Sequence, residues 1–543
     1  RLERYYADKA EDEAGDGEKD VYQSFLRYGT CPACGGRRVN PRALSVRVGG
    51  RDISEACALE LTDFDAFLAG LTIPGAESLV SKMRSLAGRL IGLGAGYLSL
   101  DRAVSTLSGG ESQRVKLARR LDCDLAGLVY VLDEPSAGLH PSDARRLAEA
   151  LRVLSDAGNA VLVVEHDPAL IEGADWAIEI GPAAGRKGGE LLYSGPASGL
   201  AETEGPTGRV FRERAARRAF RAAAASGEAG TAGAGASPAA PLRRPWRRSF
   251  PVREARANNL RGVSVDIPLG ILVGICGPAG SGKSTLIHEV FAPAHPEAVV
   301  VAQGAIGRTS RGTVASYVGA FDLMRKEFAK ATGADLGLFS FNSKGACPKC
   351  GGAGFLAVEM NFLDDVRMTC DECGGARYRA EVLDLKYGDR SVADALAMTA
   401  EEAEGFFRTP ELRRRLAVLR EVGLDYLPLG QSLSSLSGGE SQRLKLASEL
   451  HKSGGIYILD EPTSGLHPTD VARLIGVLER LASGGNTVIV IEHDLDALAA
   501  CSWLIELGPS GGAAGGRVIA QGTPEDLAAN TDSVTGPYLR EVL

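Results

Sequence analysis

Two hydrophobic patterns alternate along the chain. Short, unbroken apolar runs recur as VYVL at 129–132, AVLVV at 160–164, ILVGIC at 271–276, AVVV at 298–301, IYIL at 456–459 and TVIVI at 487–491. Unbroken runs of this length read as strands buried on both faces, which is the pattern of a parallel sheet covered by helices. Between them lie stretches with helical spacing, such as PSDARRLAEALRVLSD at 141–156. The charged residues 1–29 read as the tail of a helical element, and ALSVRVGGRDI at 43–53 as a strand-like stretch. Residues 201–250 turn to Ala, Gly, Arg and Pro, with too few large apolar side chains to pack, so a linker is expected there, helical near 209–225. No apolar run reaches the roughly 18 residues of a membrane span.

The pattern is a repeat. LSGGESQR stands at 107–114 and again at 436–443; VYVLDEPSAGLH at 129–140 is answered by IYILDEPTSGLH at 456–467, and VVEHD around His166 by VIEHD around His493. G-x4-G-K-[ST] occurs once, as GPAGSGKS at 277–284. It follows an apolar strand and precedes a helix, the context a phosphate loop requires. Gly277, Gly280 and Gly282 let the backbone wrap a phosphate closely, with Thr285 at the start of the helix. Lys283 is placed to neutralise the β- and γ-phosphates of ATP and Ser284 to ligate Mg²⁺.

Each Asp-Glu pair ends an apolar strand. Asp133 or Asp460 would hold the magnesium shell, and Glu134 or Glu461 would polarise an attacking water. His166 and His493 stand where a γ-phosphate sensor would sit, and Gln303, after the strand at 298–301, would position water and magnesium. The turns Ser108, Gly109, Gly110, Glu111 and Ser437, Gly438, Gly439, Glu440 each open a helix, whose N-terminus favours anions.

Of ten cysteines, Cys347, Cys350, Cys370 and Cys373 form C-x2-C-x19-C-x2-C, the spacing of a closed, structural four-thiolate zinc site, with a β-hairpin between the pairs. Cys31 and Cys34 resemble its second pair, without a first pair before them; a half site completed by upstream sequence or a plain turn are the alternatives. Cys57, Cys123, Cys276 and Cys501 read as buried small side chains.

The repeated signature, Asp-Glu strand and His resemble ABC ATPases, in which the signature of one half closes over the phosphate loop of the other. That resemblance implies one complete site, in which Lys283, Ser284, Gln303, Asp460, Glu461 and His493 face Ser108, Gly109, Gly110 and Glu111. A second, partial site would hold Asp133, Glu134, His166 and 437–440. The fold class implied is α/β: tandem ABC-type halves of the P-loop NTPase class, each with a helical signature subdomain, and a four-cysteine zinc module inserted in the second. The phrases AIGRTSRGTVASYVGAFDLMRKEF at 305–328 and FSFNSKGACPKCGGAG at 339–354, with LSGGESQR, further resemble the UvrA family of excision-repair ATPases.

The resemblance implies ATP-dependent recognition of damaged double-stranded DNA, without nuclease activity of its own, by a cytoplasmic homodimer carrying ATP, Mg²⁺ and Zn²⁺. It implies a partner, UvrB, docked through an insertion that would precede residue 1, together with the first phosphate loop; a truncated chain is therefore expected. Arg308, Arg311 and Lys344, near glycines and the zinc module, are candidates for DNA phosphate contact, against the alternative of surface ion pairs. The net charge of −8 decides little, because local patches set the field a phosphate backbone meets. The low-complexity linker and a short stretch after Thr285 leave a drug-resistance paralogue as the alternative. An exporter ATPase gives no reason for the cysteine insert, and a structural-maintenance ATPase would need long heptads. The expected divisions are 1–97, a first-half remnant with the half zinc site; 98–200, the first ATPase half; 201–250, linker; 251–303, phosphate-loop lobe; 304–430, zinc-bearing, DNA-binding insert; and 431–543, signature to C-terminus.

Overall fold

The structure, a computed structural model, describes residues 29–107, 109–120, 127–183, 185–225, 244–301, 311–358, 366–450 and 454–543. In chain order the strands are β1 (Val129–Asp133), β2 (Ala160–Val164), β3 (Trp176–Gly181), β4 (Glu190–Pro196), β5 (Arg248–Ala255), β6 (Val263–Leu269), β7 (Leu272–Cys276), β8 (Val299–Val301), β9 (Phe355–Val358), β10 (Val366–Thr369), β11 (Ile456–Asp460), β12 (Thr487–Ile491), β13 (Trp503–Gly508) and β14 (Arg517–Gly522). Among the described residues the second half is built on a six-stranded sheet in the order β14-β13-β7-β12-β11-β8, parallel except for the edge strand β14. The carboxyl ends of β7, β11 and β12 come together at one edge, where open parallel sheets bind ligands. The phosphate loop, the Asp460-Glu461 pair and His493 leave the sheet from those ends.

One face of this sheet packs on a core of Ile267, Val273, Ile275, Ile287, Phe291, Ile458, Ile489, Ile505 and neighbours, capped by the antiparallel β5-β6 hairpin. The other face joins a larger core that runs into the signature and cysteine subdomain, through Phe321, Phe328, Phe339, Phe341, Tyr378 and Phe407. β9 and β10 pair as the hairpin expected between the cysteine pairs.

The first half contains the parallel pair β1-β2 and the antiparallel pair β3-β4, matching β11-β12 and β13-β14. What differs is cover. Val129, Val131, Leu162, Val164, Ile178 and Ile180 are 53–69% exposed, whereas Ile456, Ile458, Ile489, Ile491, Ile505 and Leu507, at the same places in the repeat, are 8% or less. In the second half β5, β6, β7 and the helical segment after the phosphate loop (Leu286, Ile287, Phe291) supply the covering side chains. Among the described residues the same sequence pattern therefore gives a core in one half and exposed apolar positions in the other.

Three local expectations change. Residues 43–53 form no strand: a turn of helix, Pro41–Leu44, is followed by a single bridge between Val48 and Arg51 and then by Ile53–Cys57, whose start is fixed by a reciprocal Asp52/Glu55 cap. The capping hydrogen bonds override the weak alternation of the sequence. Cys57 is half-exposed rather than buried, while Cys276 and Cys501 are buried; Cys123 lies outside the described residues. The helix at the head of the linker spans Pro206–Ala225, starting earlier than expected because Pro206 fits a first helical turn.

Ile458 and Val131 occupy equivalent positions with opposite burial, which makes their truncation a matched test. Ile458→Ala should cost about 2–5 kcal/mol in chemical denaturation, whereas Val131→Ala should stay within about 0.5 kcal/mol.

Candidate functional site

β7 delivers the phosphate loop into a backbone only glycine accepts. Gly277, Gly280 and Gly282 have φ of 127°, 70° and 101°, and a Cβ on Gly277 would sit 1.9 Å from the carbonyl oxygen of Leu507. Lys283 is buried, and its Nζ donates to the carbonyls of Gly277 at 2.8 Å and Pro278 at 2.9 Å. Burial lowers its pKa to about 8, opposed by the nearby carboxylates of Glu461 and Asp460. An ammonium held this way gains from any anion that enters the loop.

Glu461 follows β11 in a left-handed backbone, φ 46°, as Glu134 does after β1 at φ 41°. Each is held there by its N–H, donated to the last carbonyl of the neighbouring strand: Glu461 to Ile491 at 2.8 Å, Glu134 to Val164 at 2.9 Å. Strain of this kind survives where surrounding hydrogen bonds over-determine the backbone. Burial, reinforced by Asp460 and Glu492, raises the Glu461 carboxyl to about 7. His493 Nε2 lies 4.0 Å from Glu461 Oε1; the ring is buried, and its Nδ1 has no hydrogen-bond partner among the described residues. Burial and the charge of Lys283 hold His493 well below its usual pKa, so it presents a neutral imidazole. Asp460 meets His288 Nε2 at 3.4 Å.

The first half closes this edge. A cleft of about 970 Å³ is lined by Lys283, Ser284, Thr285, Asp460, Glu461 and His493 on one side. On the other stand Tyr97, Leu107, Glu111, Arg114 and Gly138. A Cβ on Gly138 would meet Glu461 Oε2 at 2.4 Å, and one on Gly280 would meet the Tyr97 ring at 2.5 Å. Glu111 is buried and accepts from Tyr97 Oη at 2.7 Å and Arg102 Nη2 at 3.1 Å. Gly109 begins the helix Gly109–Arg120; Ser108 itself lies outside the described residues. The second copy shows the signature turn in full: Ser437 Oγ accepts from Glu440 N, Glu440 accepts from Ser437 N, and Gly438 and Gly439 open the helix.

The partial site mirrors this arrangement. Glu134 lies against Gly465, whose Cβ would be 2.8 Å from its Oε2, and His166 Nε2 is 3.6 Å from Glu134 Oε1. Asp133 ends β1 as Asp460 ends β11. The chain carries no phosphate-loop motif to face Ser437–Glu440 there.

The four cysteine sulfurs lie within 4.8 Å of one another, with Cys347–Cys370 at 4.0 Å and Cys350–Cys373 at 3.7 Å. Tetrahedral thiolates at about 2.3 Å from zinc stand about 3.8 Å apart, so the donor set fits that ion. Gly374 and Gly375, at φ 56° and 88°, turn the chain after Cys373, and Gly35 and Gly36, at 58° and 83°, do the same after Cys34. The Cys31–Cys34 turn thus has the local shape of the complete module. Arg311 is exposed, its guanidinium 3.4 Å from a Cβ built on Gly351 of that module. Lys344 pairs with Asp335 on the surface. Gln303 and Arg308 lie outside the described residues.

Four residue pairs at this centre escape motif reading. Tyr97 and Tyr426 each bond the signature glutamate of their own half, Arg114 and Arg443 donate from the two signature helices to the equivalent carbonyls of Gly94 and Gly423, Glu165 and Glu492 each bind the turn after the Asp-Glu pair, and His140 and His467 each reach the other half. The signal was present in the sequence: each recurs at the repeat spacing of 329 or 327 positions.

A carboxyl whose pKa rises from 4.5 to about 7 on folding binds its proton more tightly when folded. Its stabilising contribution is complete below about 4.5 and is lost as pH rises through about 7, so at pH 8 ionised Glu461 weakens the fold. In EDTA, Glu461→Gln should raise Tm at pH 8, with the gain shrinking towards pH 5.

Residues 415–499 match a family model described as "AAA domain, putative AbiEii toxin, Type IV TA system". UvrABC system protein A of Mycobacterium bovis is 42% identical over 606 residues, covering 100% of this chain and 60% of that protein. The Thermus thermophilus protein of the same name is 42% identical over 572 residues, covering 97% of this chain and 58% of its own length. The chain thus spans about 60% of the length of these relatives. The crystal structure of UvrA2 from Deinococcus radiodurans superposes with a TM-score of 0.83 at 39% identity, over 99% of this chain and 69% of that one. At 42% identity over the full chain and with a TM-score of 0.83 to UvrA2, the chain belongs to the UvrA family.

Proposed function

We propose that the chain is an ATP-hydrolysing, DNA-binding protein that recognises damaged duplex in nucleotide excision repair. One observation carries the reading: the cleft that joins Lys283, Glu461 and His493 to Glu111 and Gly138 of the opposite half. Neither half lines that cleft alone. The names of the relatives, UvrABC system protein A, support placing it in excision repair.

In this reading Lys283 turns from its own loop carbonyls to the phosphates of ATP, and the loop N–H groups hold them. Ser284 and Asp460 would hold Mg²⁺, which supplies charge neutralisation on the phosphates. Glu461, with its pKa raised to about 7, is suited to orient and accept a proton from the attacking water. Neutral His493 offers a ring N–H to the γ-phosphate without adding charge, and Glu134, His166 and Asp133 would act alike in the partial site. Cys347, Cys350, Cys370 and Cys373 would hold Zn²⁺, which cross-links the insert that carries Arg311.

Arg308, Arg311 and Lys344 are proposed to meet DNA phosphates, since lesions share altered bending rather than a base code. Lys344 would exchange Asp335 for phosphate, a low-cost change for an exposed pair. A cytoplasmic homodimer completes the proposal; UvrB is a candidate partner.

Steady-state ATP hydrolysis should rise on adding duplex DNA, more with a bulky adduct, and Lys283→Ala should lower it by about a hundredfold or more. Turnover that survives the substitution, or ignores DNA, overturns the reading. Elemental analysis should find about one zinc per chain, and Cys370→Ser should release it and weaken DNA binding in the same preparation; full DNA affinity without zinc would detach the module from that role.

A further inference from the structure

His140 is buried at the start of the helix Pro141–Asp156, in the turn whose Gly138 abuts Glu461. Its hydrogen bonds fix the tautomer. Nδ1 accepts from Ser142 N at 3.2 Å and lies 2.8 Å from Ser142 Oγ, so the proton sits on Nε2, which donates to Thr535 Oγ1 at 3.1 Å. Thr535 Oγ1 then donates to Glu506 Oε1 at 2.6 Å, and Thr535 N donates to the same oxygen at 2.7 Å. Ser533 Oγ donates to the other oxygen of Glu506.

Glu506 is fully buried on β13 and stands in register with Cys276 on β7, the residue before the phosphate loop. The chain of donors therefore runs from the first half to β13, whose neighbour β7 leads into the phosphate loop. The His140 ring also lies edge-on to His493, centroids 6.0 Å apart at 83°, and edge-on to Tyr538 of the helix Gly536–Val542 at 5.8 Å. Arg145, one turn along from His140, pairs with Glu541 at 2.6 Å and lies over the Tyr538 ring at 4.6 Å. The ring stays neutral because burial, then Lys283 and Arg146, push its pKa down to about 3.

The same device exists on the other side. His467 Nδ1 accepts from Thr469 N, Nε2 meets Thr207 Oγ1 at 3.2 Å, Thr207 N donates to Glu179 at 2.8 Å, and the ring lies edge-on to His166 at 6.1 Å. Two copies built from different segments of chain argue against an accident of packing.

We propose that His140 is a positioning residue acting across the halves: it orients His493 of the opposite half and ties that ring, through Thr535, to Glu506 and to the helix Gly536–Val542. This rests on the reading of the cleft as an ATP-hydrolysing site.

The test uses the whole chain and four substitutions. His140→Asn keeps a good helix cap but is too short to reach Thr535; Thr535→Val removes the hydroxyl at constant shape, and Thr535→Ser restores it. His140→Asn and Thr535→Val should each lower kcat for ATP by about ten- to a hundredfold with KM changed less than about twofold. The double substitution should be no worse than the worse single, and Thr535→Ser should keep wild-type kcat. In a Glu461→Gln background, Mg-ATP should slow amide exchange at 539–541, and adding His140→Asn should abolish that response. Wild-type kcat in both single variants, independent multiplication of their effects, or an exchange response that His140→Asn leaves intact overturns the coupling. A wild-type chain that hydrolyses no ATP overturns the reading of the site itself, and the exchange arm, which needs binding alone, then decides the coupling separately.

Discussion

Two close approaches hold the halves in register: the carboxylate of Glu461 lies against Gly138, and the ring of Tyr97 lies against Gly280. At both places a single added carbon would collide. The second-half phosphate loop and its Asp-Glu pair therefore meet the first-half signature only because the facing backbone carries no side chain. Tyr97 links the two kinds of contact, packing its ring on the loop while its hydroxyl donates to Glu111 of the signature helix. The proposed hydrolysis and the proposed coupling between the halves both depend on this packing.

The groups gathered by that closure are held in unsettled protonation states for a physical reason. Burial lowers the ammonium of Lys283, raises the carboxyl of Glu461 and keeps His493 neutral, all in one cleft. Each is costly to bury alone, and the ammonium gains a partner when a polyanion arrives. A site that is strained when unliganded is one that binding can use.

Among the described residues the halves are symmetric in their contacts and asymmetric in their cover. Glutamate against glycine, histidine beside histidine, and histidine to threonine occur on both sides. Yet β1, β2 and β3 leave exposed the apolar positions that β11, β12 and β13 bury beneath β5, β6, β7 and the segment after the phosphate loop. The difference lies in what packs on the strands, not in the strands.

Much of the site is legible in one dimension because its chemistry is local. The phosphate loop, the Asp-Glu strand ends and the paired cysteines each need particular residues within a few positions, so spacing alone announces them. The helix at 141–156 and the hairpin between the cysteine pairs are legible for the same reason, since periodicity and turn residues are local properties. Local pattern misleads at 43–53, where a cap formed by Asp52 and Glu55 outweighs a weak alternation. It is silent on the contacts of Tyr97 with Gly280 and of His140 with Thr535, which form only when the halves dock. It cannot distinguish Val131 from Ile458 either: burial belongs to the three-dimensional neighbourhood, while the sequence by itself determines the strand, the loop and the ligand set that the neighbourhood then puts to use.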